Sequence, residues 1–560
     1  MKKLKVPVGT SDFTEIRREN CYYIDKTNLI SGLVEGEKAK VTLITRPRRF
    51  GKTLAMNMLA HFFDIRENSR ELFRGLEITK KPMLCAQWQN QYPTIFLSLK
   101  DIDGQHFENA YALLRSRIAS LYDEHCYLET SDKVTEMQRE LFTQIKRAIA
   151  PASAVQESLR LLSEMMAAHY GKPAILLLDE YDVPIAKAST NGYYREMMDI
   201  IKVLMGAVFK DNPALCFAVV TGCLKIAKES VFTGTNNFVS DTISSSRLNE
   251  FFGFTQAEVD RLLADAELSE RKDEIKAWYD GYHFGDADIY CPWDVMNFIR
   301  DLNHNPNAKP ASYWKNTSDN GIIRSFIDFA GSSITRKLET LLEGGYITQR
   351  IEEELTYDYL HSTEDNLWSI LYLTGYLTRL RDFELERPLP SGVSALIIPN
   401  AEVREIYTTT IVKWFDESAN TWNRKALFDA LWQGDAGTIQ EEMNKLLRRT
   451  ISYHDYREDF YHAFLAGIFT GAGFAVESNK EHGEGRSDIV IYDIPEAKVA
   501  IFEAKYARSQ EDMEKCCNAA IQQIDEKFYA SEFEDDYNDI LCYGIAFFKK
   551  RCRVQIKKRK

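Results

Sequence analysis

Between about residue 38 and residue 225, uninterrupted apolar runs alternate with amphipathic stretches. Lys40–Thr45 (KVTLIT) is a short β-rich run, followed by a basic, glycine-containing turn and an apolar helix over Leu54–Phe63. Thr94–Leu99 reads as a second strand, and residues 105 to 170 carry helical periodicity. Ala174–Leu178 is wholly apolar and ends on Asp179-Glu180; Leu215–Val220 is another such strand, ending on Thr221-Gly222. Strands apolar on both faces and separated by helices are those of a parallel sheet covered on both sides. From about 250 to 440 the pattern is mostly helical, rich in Trp and Tyr and chemically quiet, its aromatics expected as packing. Past residue 450 the order changes. A helix over Tyr456–Phe469 precedes strands at Phe474–Glu477, Asp488–Tyr492 and Val499–Lys505, then a helix over Asp512–Tyr529 and a strand at Leu541–Phe548. This αβββαβ order suffices for a small α/β domain.

A chain of 560 residues needs more than one core. The patterns place three domains at 1–235, 236–445 and 446–560. A hydrophobic content of 45% with 27% charged residues is that of a globular protein. The net charge of -13 argues against nucleic-acid binding by the whole surface and leaves room for local basic patches. One such patch is the run from Lys549 to Lys560, read either as a phosphate contact or as a solvated end. No apolar run approaches the roughly 18 residues of a membrane span, and the N-terminus lacks the apolar core of a signal peptide, so no membrane partner is expected. The ten cysteines form no CxxC pair, the usage of free thiols in a reducing cytoplasm.

Candidate chemistry concentrates in two places. The turn Arg46-Pro47-Arg48-Arg49-Phe50-Gly51-Lys52-Thr53 lies between a strand and a helix, where backbone N–H groups and a helix N-terminus would face an anion. Lys52 would reach the β- and γ-phosphates of ATP and the Thr53 hydroxyl would ligate Mg²⁺. Arg46 stands where the first glycine of GxxxxGK[ST] would be. Asp179 after its apolar strand fits a Walker B carboxylate on Mg²⁺, with Glu180 polarising the attacking water. Thr221, with Lys225 and Lys228, would face the γ-phosphate. Arg48 and Arg49 are candidate arginine fingers by position alone. A structural turn and a solvent-facing acidic pair are the plain alternatives, and the joint order of the two motifs favours nucleotide.

The second place is Gly485-Arg486-Ser487-Asp488 followed, 15 residues on, by Glu503-Ala504-Lys505, the pattern of PD-(D/E)xK nucleases. Asp488 and Glu503 would converge on a hard divalent cation. Lys505, two residues along the strand from Glu503 and so on the same face, would hold a water or neutralise developing charge. The alternative is a polar strand face. His454, His462 and His482 are scattered and read as structural.

The opening VPVGTSDF, Tyr23-Ile24-Asp25-Lys26-Thr27, the RPRRFGKT loop, LLLDEYDVPI (Leu176–Ile185), TGCLKIAKESVFTGTNNF (Thr221–Phe238), WYDGYHFG (Trp278–Gly285) and IPNAEVRE (Ile398–Glu405) together resemble the AAA-ATPase-like family of bacterial proteins. The resemblance covers nearly the whole chain. It implies a P-loop NTPase sheet of AAA/STAND-like type, a family tolerance of arginine at Arg46, and an adenosine-side place for Asp25 and Lys26. The last hundred residues resemble the PD-(D/E)xK domain appended to such ATPases, a restriction-endonuclease-like fold in which Glu458 and Gln523 match acidic and glutamine positions of the flanking helices. The resemblance implies an ATP hydrolase coupled to a phosphodiesterase, with ATP and Mg²⁺ (or Mn²⁺ at the nuclease site), DNA ahead of other nucleic acids, a cytoplasmic place, and a homo-oligomer left open. The competing reading is a signalling or scaffold NTPase whose nuclease fold only binds.

Overall fold

In the computed structural model the described residues are 2–36, 39–225, 238–314, 337–355 without 339 and 343, 363–385, 387–420, 424–450, 465, 469, 475–482, 485–548 and 551–558. The chain forms two compact units, Met1–Ser318 with Thr348–Val403, and Asp319–Ile347 with Arg404–Lys560.

The first unit is built on five parallel strands: β1 (Val41–Thr45), β2 (Thr94–Ser98), β3 (Ala174–Asp179), β4 (Leu215–Gly222) and β5 (Phe238–Asp241), in the order β2-β3-β4-β1-β5. Successive side chains point to opposite faces, and both faces are buried. Leu43, Leu97, Leu176, Leu178 and Val220 enter one core cluster, while Ile44, Ile175, Leu177 and Val219 enter another. That double burial is why these strands read as continuous apolar runs rather than alternating ones. In register Leu43 faces Val220 and Leu97 faces Leu178, so the carboxyl ends of β1, β3 and β4 come out together. Ligands of open parallel sheets bind outside such strand ends.

The helical middle carries short strands that periodicity did not show. Phe254–Thr255, Ala287–Tyr290 and Tyr282–Phe284 form a small antiparallel sheet, and Thr378–Arg379 pairs antiparallel with Val393–Ile397. Strands of two to five residues are too short to impose a period of two on the sequence.

In the second unit, β6 (Ala475–His482), β7 (Gly485–Asp493), β8 (Lys498–Tyr506), β9 (Asp539–Phe548) and β10 (Arg551–Lys558) form one sheet in chain order. All neighbours are antiparallel except β8 and β9, which are parallel and joined through helix α3 (Met513–Glu526). Of the helix expected over Tyr456–Phe469 only Leu465 and Phe469 are described; both are helical and buried, and the rest, with Glu458, His454 and His462, lies outside the described residues. Within the basic run of Lys549–Lys560, Arg551–Lys558 form an edge strand, with Cys552 and Val554 buried between exposed Arg551, Arg553 and Lys557. Two of its cations are paired, Arg553 with Glu514 at 3.0 Å and Lys557 with Asp525 at 2.8 Å. The alternation of RCRVQIK was masked by its charge. Helix α2 (Ala436–Thr450) lies along this strand: Asn444 bonds both backbone groups of Cys552 (3.1 and 2.8 Å), and Gln440 accepts from Val554 N at 3.1 Å.

All ten cysteines are free thiols. Among the described residues no helix is long and apolar enough to cross a membrane.

Candidate functional site

The loop after β1 enters helix α1 (Lys52–Phe63) through Gly51, whose φ of 81° is the left-handed conformation that glycine adopts without strain. Lys52 is buried, and its Nζ donates to the carbonyls of Arg46 (2.8 Å) and Pro47 (2.7 Å), with Cys223 Sγ at 3.8 Å. Thr53 Oγ1 donates to Asp179 Oδ2 at 2.9 Å, and Thr221 Oγ1 donates to Asp179 Oδ1 at 2.5 Å. Asp179 is fully buried at the end of β3 with both carboxylate oxygens held by hydroxyls. The structure therefore brings Lys52, Thr53, Asp179 and Thr221 together. Thr221 is occupied in orienting Asp179. Lys225 is engaged elsewhere, in an ion pair with Glu354 at 2.8 Å, and Lys228 lies outside the described residues.

Glu180 follows in a left-handed backbone conformation (φ 53°), rare for a residue with a side chain. Its carboxyl is pushed up, first by burial and then by Asp179, with Lys52 and Arg48 pulling it back. Those two cations thus lie within electrostatic reach of Glu180, and Arg48 is the exposed arginine of the loop. Hard oxygen ligands and a lysine beside a helix N-terminus suit a nucleotide triphosphate with a divalent ion.

In the second unit the β7–β8 register pairs Ile489 with Phe502, which sets Asp488 across from Glu503. Asp488 Oδ2 accepts from Ala504 N at 2.7 Å, and Lys505 Nζ lies 3.0 Å from Glu503 Oε1. Both carboxylates are buried. Gln523, on α3, donates to the Tyr529 hydroxyl at 3.4 Å. The hydroxyl of Tyr529 is pushed up, first by burial, and Glu503 and Asp488 add to that while Lys505 opposes it. Tyr529 thus belongs beside this cluster. Sequence reading missed it, because a tyrosine past a helix end carries no motif. Gly544, opposite Glu503, lets α3 lie close: a Cβ there would sit 2.5 Å from Cys517 O. Among the described residues no three His, Cys, Asp or Glu side chains gather as a metal would need, so a divalent ion here would rest on Asp488 and Glu503 with whatever lies outside that set.

Residues 7–232 match the family described as Predicted AAA-ATPase, and residues 456–557 match the PD-(D/E)XK nuclease superfamily. The chain joins an AAA-ATPase-like domain to a PD-(D/E)XK superfamily domain. Over 565 aligned residues it is 25% identical to a protein named "Uncharacterized protein in vnfD 5'region" of Azotobacter chroococcum mcd 1, covering 98% of this chain and 97% of that one.

The β1–α1 loop of the AAA-ATPase-like domain is braced by residues beyond residue 232. The Arg46 side chain turns inward, fully buried, with its guanidinium 5.6 Å from the Phe252 ring and 5.3 Å from the Phe284 ring and Nη1 on Asp241 O. Burial pushes its pKa down to about 10. Arg46, standing where the first glycine of the motif would be, thus turns its side chain away from the loop, and what it offers the loop is its carbonyl, held by Lys52. Phe50 packs on Tyr282 and Phe284 at 4.9 and 5.0 Å. Arg49, at φ 72°, lies 4.2 Å over the Trp293 ring, and Cys291 Sγ reaches its carbonyl at 3.9 Å. Pro47 abuts Gly375, where a Cβ would come within 3.0 Å of it. A loop poor in glycine is here shaped by aromatic walls.

Beneath Trp293 the middle is not chemically quiet. Asp294 and Glu402 form a buried acid pair whose carboxyls are both pushed up, chiefly by burial, and Glu402 also by Asp294. Glu402 accepts from Trp314 N at 2.7 Å, and Arg49 is the cation that steadies Asp294. Asp25 and Lys26 serve the fold. Asp25 accepts from Thr27 N and Glu77 N, and Lys26 binds Glu250 O and Glu258, each at 2.6 Å.

Proposed function

We propose that this chain binds ATP with Mg²⁺ at the β1–α1 loop, hydrolyses it, and uses its C-terminal site to cut a nucleic-acid phosphodiester, with DNA as the preferred substrate. The observation that carries this reading is Asp179, fixed by the hydroxyls of Thr53 and Thr221 at the mouth of a lysine-bearing helix N-terminus. Lys52 would bind the terminal phosphates, Thr53 and Asp179 would hold the ion, and Glu180 would take the proton of the attacking water. Arg48, exposed beside Glu180, would meet phosphate charge. In the C-terminal site Asp488 and Glu503 would hold Mg²⁺ or Mn²⁺, Lys505 would orient the attacking water, and Gln523 with Tyr529 would set the edge of the site; Glu458 would complete it. A bound divalent ion supplies charge neutralisation on phosphate oxygens and a more acidic water.

We further propose a cytoplasmic place for the protein and domain limits near 235 and 445. The test is cleavage of plasmid and single-stranded DNA with Mg²⁺ or Mn²⁺, with and without ATP, in wild type, Asp488→Ala and Lys52→Ala. Cutting lost in Asp488→Ala and altered in Lys52→Ala supports a nuclease under nucleotide control. ATP binding with no cutting on any substrate replaces it with an NTPase scaffold.

A further inference from the structure

We propose that Asp182 is a positioning residue of the nucleotide site, tying the backbone after β4 to the turn after β3 and thereby fixing where Glu180 presents its carboxyl. The proposal rests on the reading that this site hydrolyses ATP.

Asp182 stands at the N-cap of the helix Val183–Asn191, where an aspartate ordinarily caps its own helix through the amides two and three residues on. It makes no such bond. Its Oδ2 reaches instead across the strand ends and accepts from Cys223 N at 2.9 Å and Leu224 N at 3.0 Å. Neighbouring bonds work to the same end. Tyr181 N donates to Thr221 O at 3.0 Å, and the Tyr181 hydroxyl donates to Leu224 O at 2.8 Å. Gly222 lies between them without room for a side chain: a Cβ would stand 2.7 Å from Asp182 Oδ1 and 2.7 Å from the Tyr181 ring.

Glu180 is therefore suspended between two fixed points. On one side Asp179 is locked by Thr53 and Thr221; on the other, Tyr181 and Asp182 are latched to residues 221–224. A left-handed backbone at a residue with a side chain persists where its surroundings over-determine it, and φ 53° at Glu180 is such a case. The latch also holds Cys223, whose sulfur backs Lys52 Nζ at 3.8 Å. Asp182 touches neither phosphate nor ion in this scheme. Its role is to keep the water-activating carboxyl and the lysine in one frame.

The test uses the full chain as wild type, Asp182→Ala and Asp182→Asn. Three quantities are read: amide exchange of Cys223 and Leu224 without nucleotide, ATP affinity, and ATP turnover. In Asp182→Ala, exchange at the two amides should rise about tenfold or more. ATP affinity should stay within about threefold of wild type while turnover falls roughly 100-fold, the cost of a displaced catalytic group. Asp182→Asn keeps an oxygen acceptor for both amides and should restore protection and most of the turnover. Wild-type turnover in Asp182→Ala despite exposed amides overturns the assignment alone. So does a parallel loss of affinity and turnover that Asp182→Asn does not repair, since that marks a merely structural residue. Wild-type protein that binds ATP and never hydrolyses it overturns the functional reading, and the assignment with it.

Discussion

The two candidate sites use similar parts and hold them differently. In each, an acidic residue on a strand stands beside a lysine. In the nucleotide site the holding groups come from distant sequence: Thr53 from α1 and Thr221 from β4 fix Asp179, and the loop itself leans on Phe252, Tyr282, Phe284 and Trp293. In the nuclease-like site the holding groups are neighbours, with Ala504 N on Asp488 and Lys505 on Glu503. A site assembled from far-apart segments should fail when a remote brace is removed. A hairpin-built site should be indifferent to such distant changes.

The largest effect is expected at Lys52, because on the proposed reading both sites use their lysine and only this one is buried among carbonyls. Lys52→Ala should weaken ATP binding on the order of 100-fold, the worth of charge-assisted hydrogen bonds to phosphate. Calorimetric titration measures it. Unchanged affinity would mean that the loop is not the phosphate cradle, and the comparison would lose its first half.

Trp293→Ala sharpens the contrast. The residue lies outside the matched AAA-ATPase-like stretch, yet its ring carries Arg49. A partly desolvated cation–π contact contributes about 1–2 kcal/mol, so ATP affinity should fall roughly tenfold. Metal-dependent cleavage measured without ATP should stay at the wild-type rate. An equal loss of both activities would show general unfolding and break the distinction.

These contacts also mark where the sequence was readable. β1 to β4 were legible because double burial writes long apolar runs, and the loop and Asp179 because their spacing is tied to strand and helix ends. Asp488, Glu503 and Lys505 were legible because a hairpin keeps its chemistry local. The braces were not. Phe252, Tyr282, Trp293 and Gly375 meet residues 46–50 only after folding, and an aromatic that walls a loop has the same local pattern as one that fills a core. Asp294 and Glu402 were passed over for a similar reason: the two are far apart in sequence, and neither sits in a recognisable spacing. Asp182 was visible in the string DEYD, but its partners, two backbone amides, leave no trace in residue type. The strand β10 was lost because its charges outweighed its alternation.

The acid pair predicts a pH dependence of the first unit. Burial holds Asp294 and Glu402 above the ordinary carboxyl values of 3.8 and 4.5. In the window above those values the folded chain keeps protons that the unfolded chain releases. The pair's contribution is therefore most favourable below that window and is lost as pH rises through it, by up to about 1.4 kcal/mol per pH unit for each proton retained. Glu402→Gln keeps an acceptor for Trp314 N and cannot ionise. Its melting temperature, followed by tryptophan fluorescence from about pH 5 to about pH 8, should fall less steeply than that of wild type. An identical slope would mean that Glu402 retains no proton in this window.

The smallest effect tests the hairpin side of the comparison at its margin. β10 is an edge strand, and open edges invite pairing with other chains. Helix α2 covers it by amide mimicry. Asn444 donates to Cys552 O and accepts from Cys552 N, as a neighbouring strand would, and Gln440 takes Val554 N. The spacing makes this workable. Four helical residues advance about 6 Å and two strand residues about 6.8 Å, so side chains at 440 and 444 can meet backbone groups at 554 and 552. Asn444→Ala leaves the N–H and C=O of Cys552 without that partner, which should cost about 1–2 kcal/mol. Hydrogen exchange at Cys552 should quicken accordingly while ATP affinity is unchanged. Exchange as slow as in wild type would mean that α2 protects the edge by burial alone. A change in ATP affinity would mean that the nuclease-like half is less self-contained than its local hydrogen bonds imply.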